Sequence, residues 1–175
     1  EIIADEVVSA NFKVAGLIPQ QLSLISGSIC VYFYPFIAKL GKSAEAWKNI
    51  KKIGIFTSIT IITVAIIGAI GSPLIIRIVY GNKYMDAITM SRTLWIMRMV
   101  DCAFRVVPIT LLPALGDVKY NYIASPIFCI IHFVADYVLI NKYGISGVAY
   151  ATIFINALSA LCAWIYVKNY CLNKK

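Results

Sequence analysis

Charge is scarce in this sequence. Only 14% of its 175 residues are Asp, Glu, Lys or Arg, while 61% are hydrophobic; soluble domains run near a quarter charged and half apolar. Too little polar material remains to cover a surface in water, which excludes a soluble enzyme, a secreted disulfide scaffold and a disordered tail. Acidic residues are rarer than basic ones, eight against sixteen. In so apolar a chain the net charge of +8 reads as membrane topology, not as nucleic-acid binding. Paired cysteines are missing as well. Cys30, Cys102, Cys129, Cys162 and Cys171 are odd in number, form no C-x-x-C motif and sit mostly in apolar stretches. They read as small buried hydrophobes, with no metal or redox role. The first residues, Glu1-Ile2-Ile3-Ala4-Asp5-Glu6, hold no methionine and no basic stretch before an apolar core. They are not a signal peptide and read as the interior of a longer protein. Composition therefore predicts an all-α integral membrane protein.

A membrane-crossing helix needs about 20 mostly apolar residues. Charge is absent between Lys13 and Lys39, between Lys52 and Arg77, and between Lys142 and Lys168. A shorter clean run from Tyr120 to Ala135 extends through Asp136 to Ile140. The stretch from about 87 to 115 is apolar in bulk but carries Arg92, Arg98, Asp101 and Arg105. Five spans follow, near 14–38, 53–76, 87–115, 118–140 and 144–167, with the third weakest in hydropathy. The last two are joined by a short turn with Gly144 and Gly147, which requires them to pack antiparallel. The longest loop is expected at about 39–52, lysine-rich with Glu45 as its one acid. Counting loop charges on alternating sides gives nine on the face of that loop (Lys39, Lys42, Lys48, Lys51, Lys52, Lys119, Lys168, Lys174, Lys175) and four on the other (Lys13, Arg77, Lys83, Lys142). The positive-inside rule makes the first face, with the C-terminus, cytoplasmic. Tyrosine pairs at 80 and 84, 120 and 122, and 166 and 170 mark span ends at headgroup level. Six prolines, mostly within or at the ends of spans, predict bent helices of the kind that moving transporters use.

The charges inside the third span have a pattern. At about 100° per residue, Arg98 and Arg105 lie some 20° apart, and Asp101 lies within about 60° of both. Arg92 falls on another face, nearer the outer end and in reach of headgroups; it joins the other three as a substrate-binding candidate. A charge near mid-bilayer costs on the order of 3 kcal/mol, so the stripe should face a bundle interior or a wet cavity. It reads either as an ion triad pinning helices or as a lining for an anion, with one net positive charge left after pairing. Arginine's planar fork suits phosphate oxygens. A second polar set lies in the last two spans. His132 and Asp136 are four apart and share a face, as do Thr152 and Asn156, with Val148 one turn before. They read either as a hydrogen bond tying helices or as a coupling site for a proton or cation.

The segment Asp136-Tyr137-Val138-Leu139-Ile140-Asn141-Lys142-Tyr143-Gly144-Ile145-Ser146-Gly147-Val148-Ala149-Tyr150-Ala151-Thr152 resembles the D-x-x-L-I-P-x-Y-G-I-x-G-A-A-x-A-T stretch of polysaccharide exporters and O-antigen (Wzx-type) flippases. These belong to the multidrug/oligosaccharidyl-lipid/polysaccharide superfamily. Val7 to Leu22 is similar to the entry of that family's eighth helix, and Tyr34-Pro35-Phe36-Ile37-Ala38-Lys39 to its exit. Val79-Tyr80-Gly81-Asn82-Lys83-Tyr84-Met85-Asp86-Ala87 is similar to the turn before the tenth. The resemblance implies helices eight to twelve of a twelve-helix, two-lobe transporter, with the N-terminal lobe absent from these residues. Asn141 departs from the family's proline. In the lipid II flippase branch, the resemblance implies a sodium site to which Asp136, Val148 and Thr152 correspond, with His132 in place of an asparagine; sodium and a proton are both open as coupling ions.

The expected function is alternating-access transport of an undecaprenyl-pyrophosphate-linked oligosaccharide across a bacterial plasma membrane. Arg98 and Arg105 would hold the pyrophosphate, Asp101 would limit how tightly, and Asp136 with His132 would couple an ion. Membrane lipid and glycan polymerase or ligase machinery are the expected partners; no cofactor and no catalytic residue are expected. The alternatives are a drug or cation antiporter, a lipid II flippase, and a membrane enzyme of polysaccharide synthesis.

Overall fold

The computed structural model describes residues 6–173, without the side chains of 6–9, 83, 145 and 146. Lys174, Lys175 and residues 1–5 thus lie outside the described residues, as do the side chains of Lys83, Ile145 and Ser146. Seven α-helices account for nearly all of the described chain: α1 Glu6–Leu17, α2 Leu22–Leu40, α3 Ala44–Tyr80, α4 Ala87–Val100, α5 Val106–Leu111, α6 Lys119–Tyr143 and α7 Ile145–Leu172. There is no strand among them. Four stretches are long and apolar enough to cross a membrane, judged by length and composition: Ala10–Leu40, Ala44–Tyr80, Lys119–Tyr143 and Gly147–Leu172.

The first expected span is not one straight rod. A 3-10 turn at Pro19–Gln21 separates α1 from α2, because Pro19 has no N–H to give one turn back. The second span is longer than its charge-free run. The expected loop at 39–52 is helical except for residues 41–43. Ser43 explains the early start: its hydroxyl donates to the Leu40 carbonyl at 3.2 Å and accepts from the Ala46 N–H at 3.1 Å, an N-cap joining two helices. Ala44, Glu45, Ala46 and the following lysines then favour helix. At ~1.5 Å per residue the 37 residues of α3 reach about 55 Å, beyond a hydrocarbon layer of ~30 Å. Its lysine-rich first turns are therefore expected outside the apolar layer.

Residues 87–115, the span weakest in hydropathy, form the axis of the bundle. Leu94 packs with Ala15, Ile76 and Ala149. Trp95, Cys102 and Ala103 pack with Leu22, Ile61 and Ala65, and Val107, Leu111 and Leu112 with Cys30, Ile37, Ile50 and Val167. A helix enclosed by others on most sides needs fewer apolar residues than one facing lipid, which is why its polar residues are tolerated. The outer helices carry the opposite pattern: Ile59, Ile67 and Ile70 of α3, and Ile130 and Phe133 of α6, are exposed.

The α6–α7 hairpin closes through Gly144, whose φ of 61° suits glycine. A Cβ on Gly147 would collide with the Leu139 carbonyl, so the two backbones pack in direct contact. Near the expected cytoplasmic end, the buried Asp117 accepts from the Lys119 N–H at 2.9 Å and from the Tyr166 hydroxyl at 2.7 Å. The Tyr166 ring lies 4.6 Å from that of Tyr120 and 6.3 Å from that of Tyr170, and Lys42 sits 5.0 Å over the latter. The tyrosines expected at headgroup level thus fasten the helices to one another.

Candidate functional site

Between α4 and α5 the chain makes one wide π turn, Asp101–Arg105, closed by the Val106 N–H bonding to the Asp101 carbonyl. Its cause is three residues further on. Pro108 has no N–H to offer the carbonyls of Ala103 and Phe104 one turn back. Both are met from outside: the Ser58 hydroxyl of α3 donates to Ala103 at 2.7 Å, and the Trp164 indole N–H of α7 donates to Phe104 at 2.8 Å. Single π turns are rare and gather at functional sites. This one carries Asp101 and Arg105.

Within it, Asp101 is 8% exposed. Its Oδ1 accepts from Arg105 Nε at 2.6 Å, and its Oδ2 lies 3.9 Å from Arg98 Nη1. The triad is therefore lopsided. Arg105 is engaged with the carboxylate through Nε, and Arg98 only loosely.

The three side chains open into a cavity of about 510 Å³ between this segment, α6 and α7. Across from them stand His132 and Asp136 of α6 and Thr152, Asn156 and Ser159 of α7. The two polar sets, more than twenty residues apart in sequence, thus share one chamber. His132 Nδ1 lies 2.7 Å from Asp136 Oδ2, and His132 Nε2 lies 3.1 Å from Thr152 Oγ1. The Thr152 hydroxyl is also 2.8 Å from the Val148 carbonyl and placed to donate to it. A relay therefore runs from Asp136 through His132 and Thr152 to the α7 backbone. Val148 takes part through that carbonyl; its side chain is not in the lining. Arg92 stands apart, exposed and outside the cavity.

The lining also includes Tyr120, Asn121, Ser125 and Cys129, none of which the sequence marks as a site residue; Cys129, expected to be a buried hydrophobe, is exposed on this wall. Their signal was the helical period itself: positions 121, 125, 129, 132 and 136 repeat every three to four residues and form one face of α6. The Asn121 amide donates to the Ile109 carbonyl at 3.0 Å, binding this face to α5.

As a sodium site the relay is poorly equipped. A hard cation takes several oxygen ligands. Here one position presents imidazole nitrogen, and the hydroxyl and carbonyl are bonded to each other; Asp136 Oδ1 is the oxygen left without a partner. No group of three or more His, Cys, Asp or Glu side chains able to hold a metal occurs among the described residues. What the cavity can do is hold an anion against two guanidinium groups, with a hydrogen-bonded imidazole on the opposite wall. Compared with protein-family models, curated proteins and solved structures, the chain matches none.

Proposed function

We propose that this chain belongs to a bacterial plasma-membrane flippase for a lipid-linked oligosaccharide, with five membrane crossings of which 87–115 is the third. The one observation that carries the reading is the convergence of Arg98 and Arg105 with neutral hydrogen-bonding side chains on a single cavity, walled by helices apolar enough to cross a membrane. Guanidinium groups lining a cavity favour phosphate oxygens, and Asn156, Ser159, Ser125 and Asn121 offer partners for sugar hydroxyls. A polar headgroup crossing hydrocarbon loses its hydration; a cavity with cationic and hydrogen-bonding walls replaces part of it. In this reading the headgroup of an undecaprenyl-pyrophosphate-linked glycan enters the cavity while its tail stays in the bilayer. The likeness to polysaccharide exporters supports the same cargo, with these helices eight to twelve of a two-lobe transporter. A cation antiporter fits the cavity less well: Asp101 is held by Arg105, and Asp136, whose Oδ2 meets His132, keeps only Oδ1 for a cationic ligand, in a chamber that also presents two guanidinium groups.

The test replaces Arg98→Ala and Arg105→Ala in the intact protein and measures surface glycan together with membrane insertion. Insertion is expected to persist while glycan export is lost. Normal export by both variants would remove the anion clamp.

A further inference from the structure

We infer that the hydrogen-bond geometry of the His132–Asp136 pair accommodates one extra proton, and that this proton sets the charge of the cavity so that proton and anion bind together. The inference rests on the anionic-ligand reading of the same cavity and adds its control. It starts from hydrogen-bond direction. A hydroxyl has one hydrogen to give. When Thr152 gives it to the Val148 carbonyl, 2.8 Å away, its oxygen can meet His132 Nε2 at 3.1 Å only as an acceptor. Nε2 then carries a hydrogen. On the far side of the ring, Nδ1 stands 2.7 Å from Asp136 Oδ2, a contact that brings two lone pairs together unless a proton lies between them. This arrangement therefore contains one proton more than a neutral imidazole beside a carboxylate.

The same heavy-atom positions accept a second arrangement. The Thr152 hydroxyl turns from Val148 and donates to Nε2, while Nδ1–H donates to Asp136. The extra proton is gone, and rotation about one C–O bond is the only change. Loading and unloading thus need no rearrangement of helices.

The other ionisable groups facing the pair decide what that proton does. Cys129 lies one turn before His132 on α6, with Tyr120 at the far end of the same wall; Arg98, Asp101 and Arg105 line the cavity from α4 and the π turn; α7 offers only the neutral Thr152, Asn156 and Ser159. Without the extra proton, two guanidinium groups are balanced by two carboxylates. With it the cavity carries one net positive charge. In a chamber partly screened from water that charge acts strongly on an anion. By linkage the effect is reciprocal: whatever factor the proton adds to anion affinity, the anion adds to proton affinity.

The experiment uses the intact protein in detergent and sulfate as probe, because its charge is constant across the histidine range. Binding is measured by calorimetry at about pH 8 and about pH 5.5, with choline as the counter-cation. Sulfate is expected to bind about fivefold or more tightly at the lower pH, within the usual range of coupling, and to draw protons from a weak buffer as it binds. His132→Gln should stay at the weaker affinity at both pH values. Asp136→Asn, which deletes a negative charge, should bind more tightly than wild type at about pH 8. Replacing choline with sodium should change nothing. Equal affinity at both pH values, a pH response that survives in His132→Gln, or tightening by sodium overturns the inference and leaves the anion site standing. Absence of saturable sulfate binding at either pH overturns the anion reading itself.

Discussion

A carboxylate with 8% of its surface exposed needs a cation close by, and Asp101 has Arg105 at 2.6 Å. The pair costs the cavity something as well. Each hydrogen bond that Arg105 gives Asp101 is one that an incoming anion cannot use, and the carboxylate repels that anion directly. Asp101→Asn keeps the shape and removes the charge. It is expected to tighten sulfate binding about fivefold or more while leaving Arg105 in place; calorimetry on the purified protein reads this, and weaker binding would show that Asp101 orients Arg105 more than it competes with the ligand. The spacing of Arg98, Asp101 and Arg105 was legible in the sequence because charges in an apolar run are rare enough to stand out. Asn121, Ser125 and Ser159 were not. Small polar side chains also satisfy backbone carbonyls within helices, as Ser26 and Ser72 do here at 3.4 and 3.0 Å, and nothing local separates the two uses.

At the scale of elements, the π turn is the feature with the most consequence. Its register lets Asp101 and Arg105 occupy one side of the axis helix while Cys102 and Ala103 stay buried. Pro108 causes it, and the carbonyls it orphans recruit Ser58 and Trp164. The Trp164 ring in turn occupies the place where a Cβ on Gly54 would project, so α7, α3 and the axis helix are tied at one point. If Trp164 compensates for the proline, the two residues are coupled. Trp164→Phe alone leaves the Phe104 carbonyl unpaired, an expected loss of about 1–3 kcal/mol. With Pro108→Ala a backbone N–H returns, and the same substitution should cost at least about 1 kcal/mol less. Unfolding of the four proteins in mixed micelles measures the cycle; additivity within error means that the indole bond does not answer the proline. The sequence displayed Pro108, yet not which helices would fill the gap, because Ser58 and Trp164 lie about fifty residues away on either side. The α1–α2 break at Pro19 and the helical lysine-rich start of α3 were hidden for a related reason. Hydropathy reports where lipid would be, whereas caps and prolines decide where helices begin and end.

For the whole molecule, the arrangement of charge and length predicts an orientation that can be tested directly. α3 runs unbroken from Ala44 to Tyr80, so residues 41–43 and 82–84 lie at opposite ends of one rod longer than the hydrocarbon layer is thick. Lys39, Lys42, Lys48, Lys51 and Lys52 collect at the first end, where the positive-inside rule puts the cytoplasm and where Lys42 rests over Tyr170. Cysteine placed at Lys42 or at Asn82 in a cysteine-free background gives two reporters for a membrane-impermeant maleimide. Position 82 should label in intact spheroplasts and position 42 only in inverted vesicles. Labelling of both from the same side would mean that α3 does not cross the bilayer, and the cavity formed by the axis helix, α6 and α7 would then lose its place within the membrane. The reverse pattern would leave the crossing intact and turn the cavity over, so that the end holding the tyrosine stack and Asp117 would face outward.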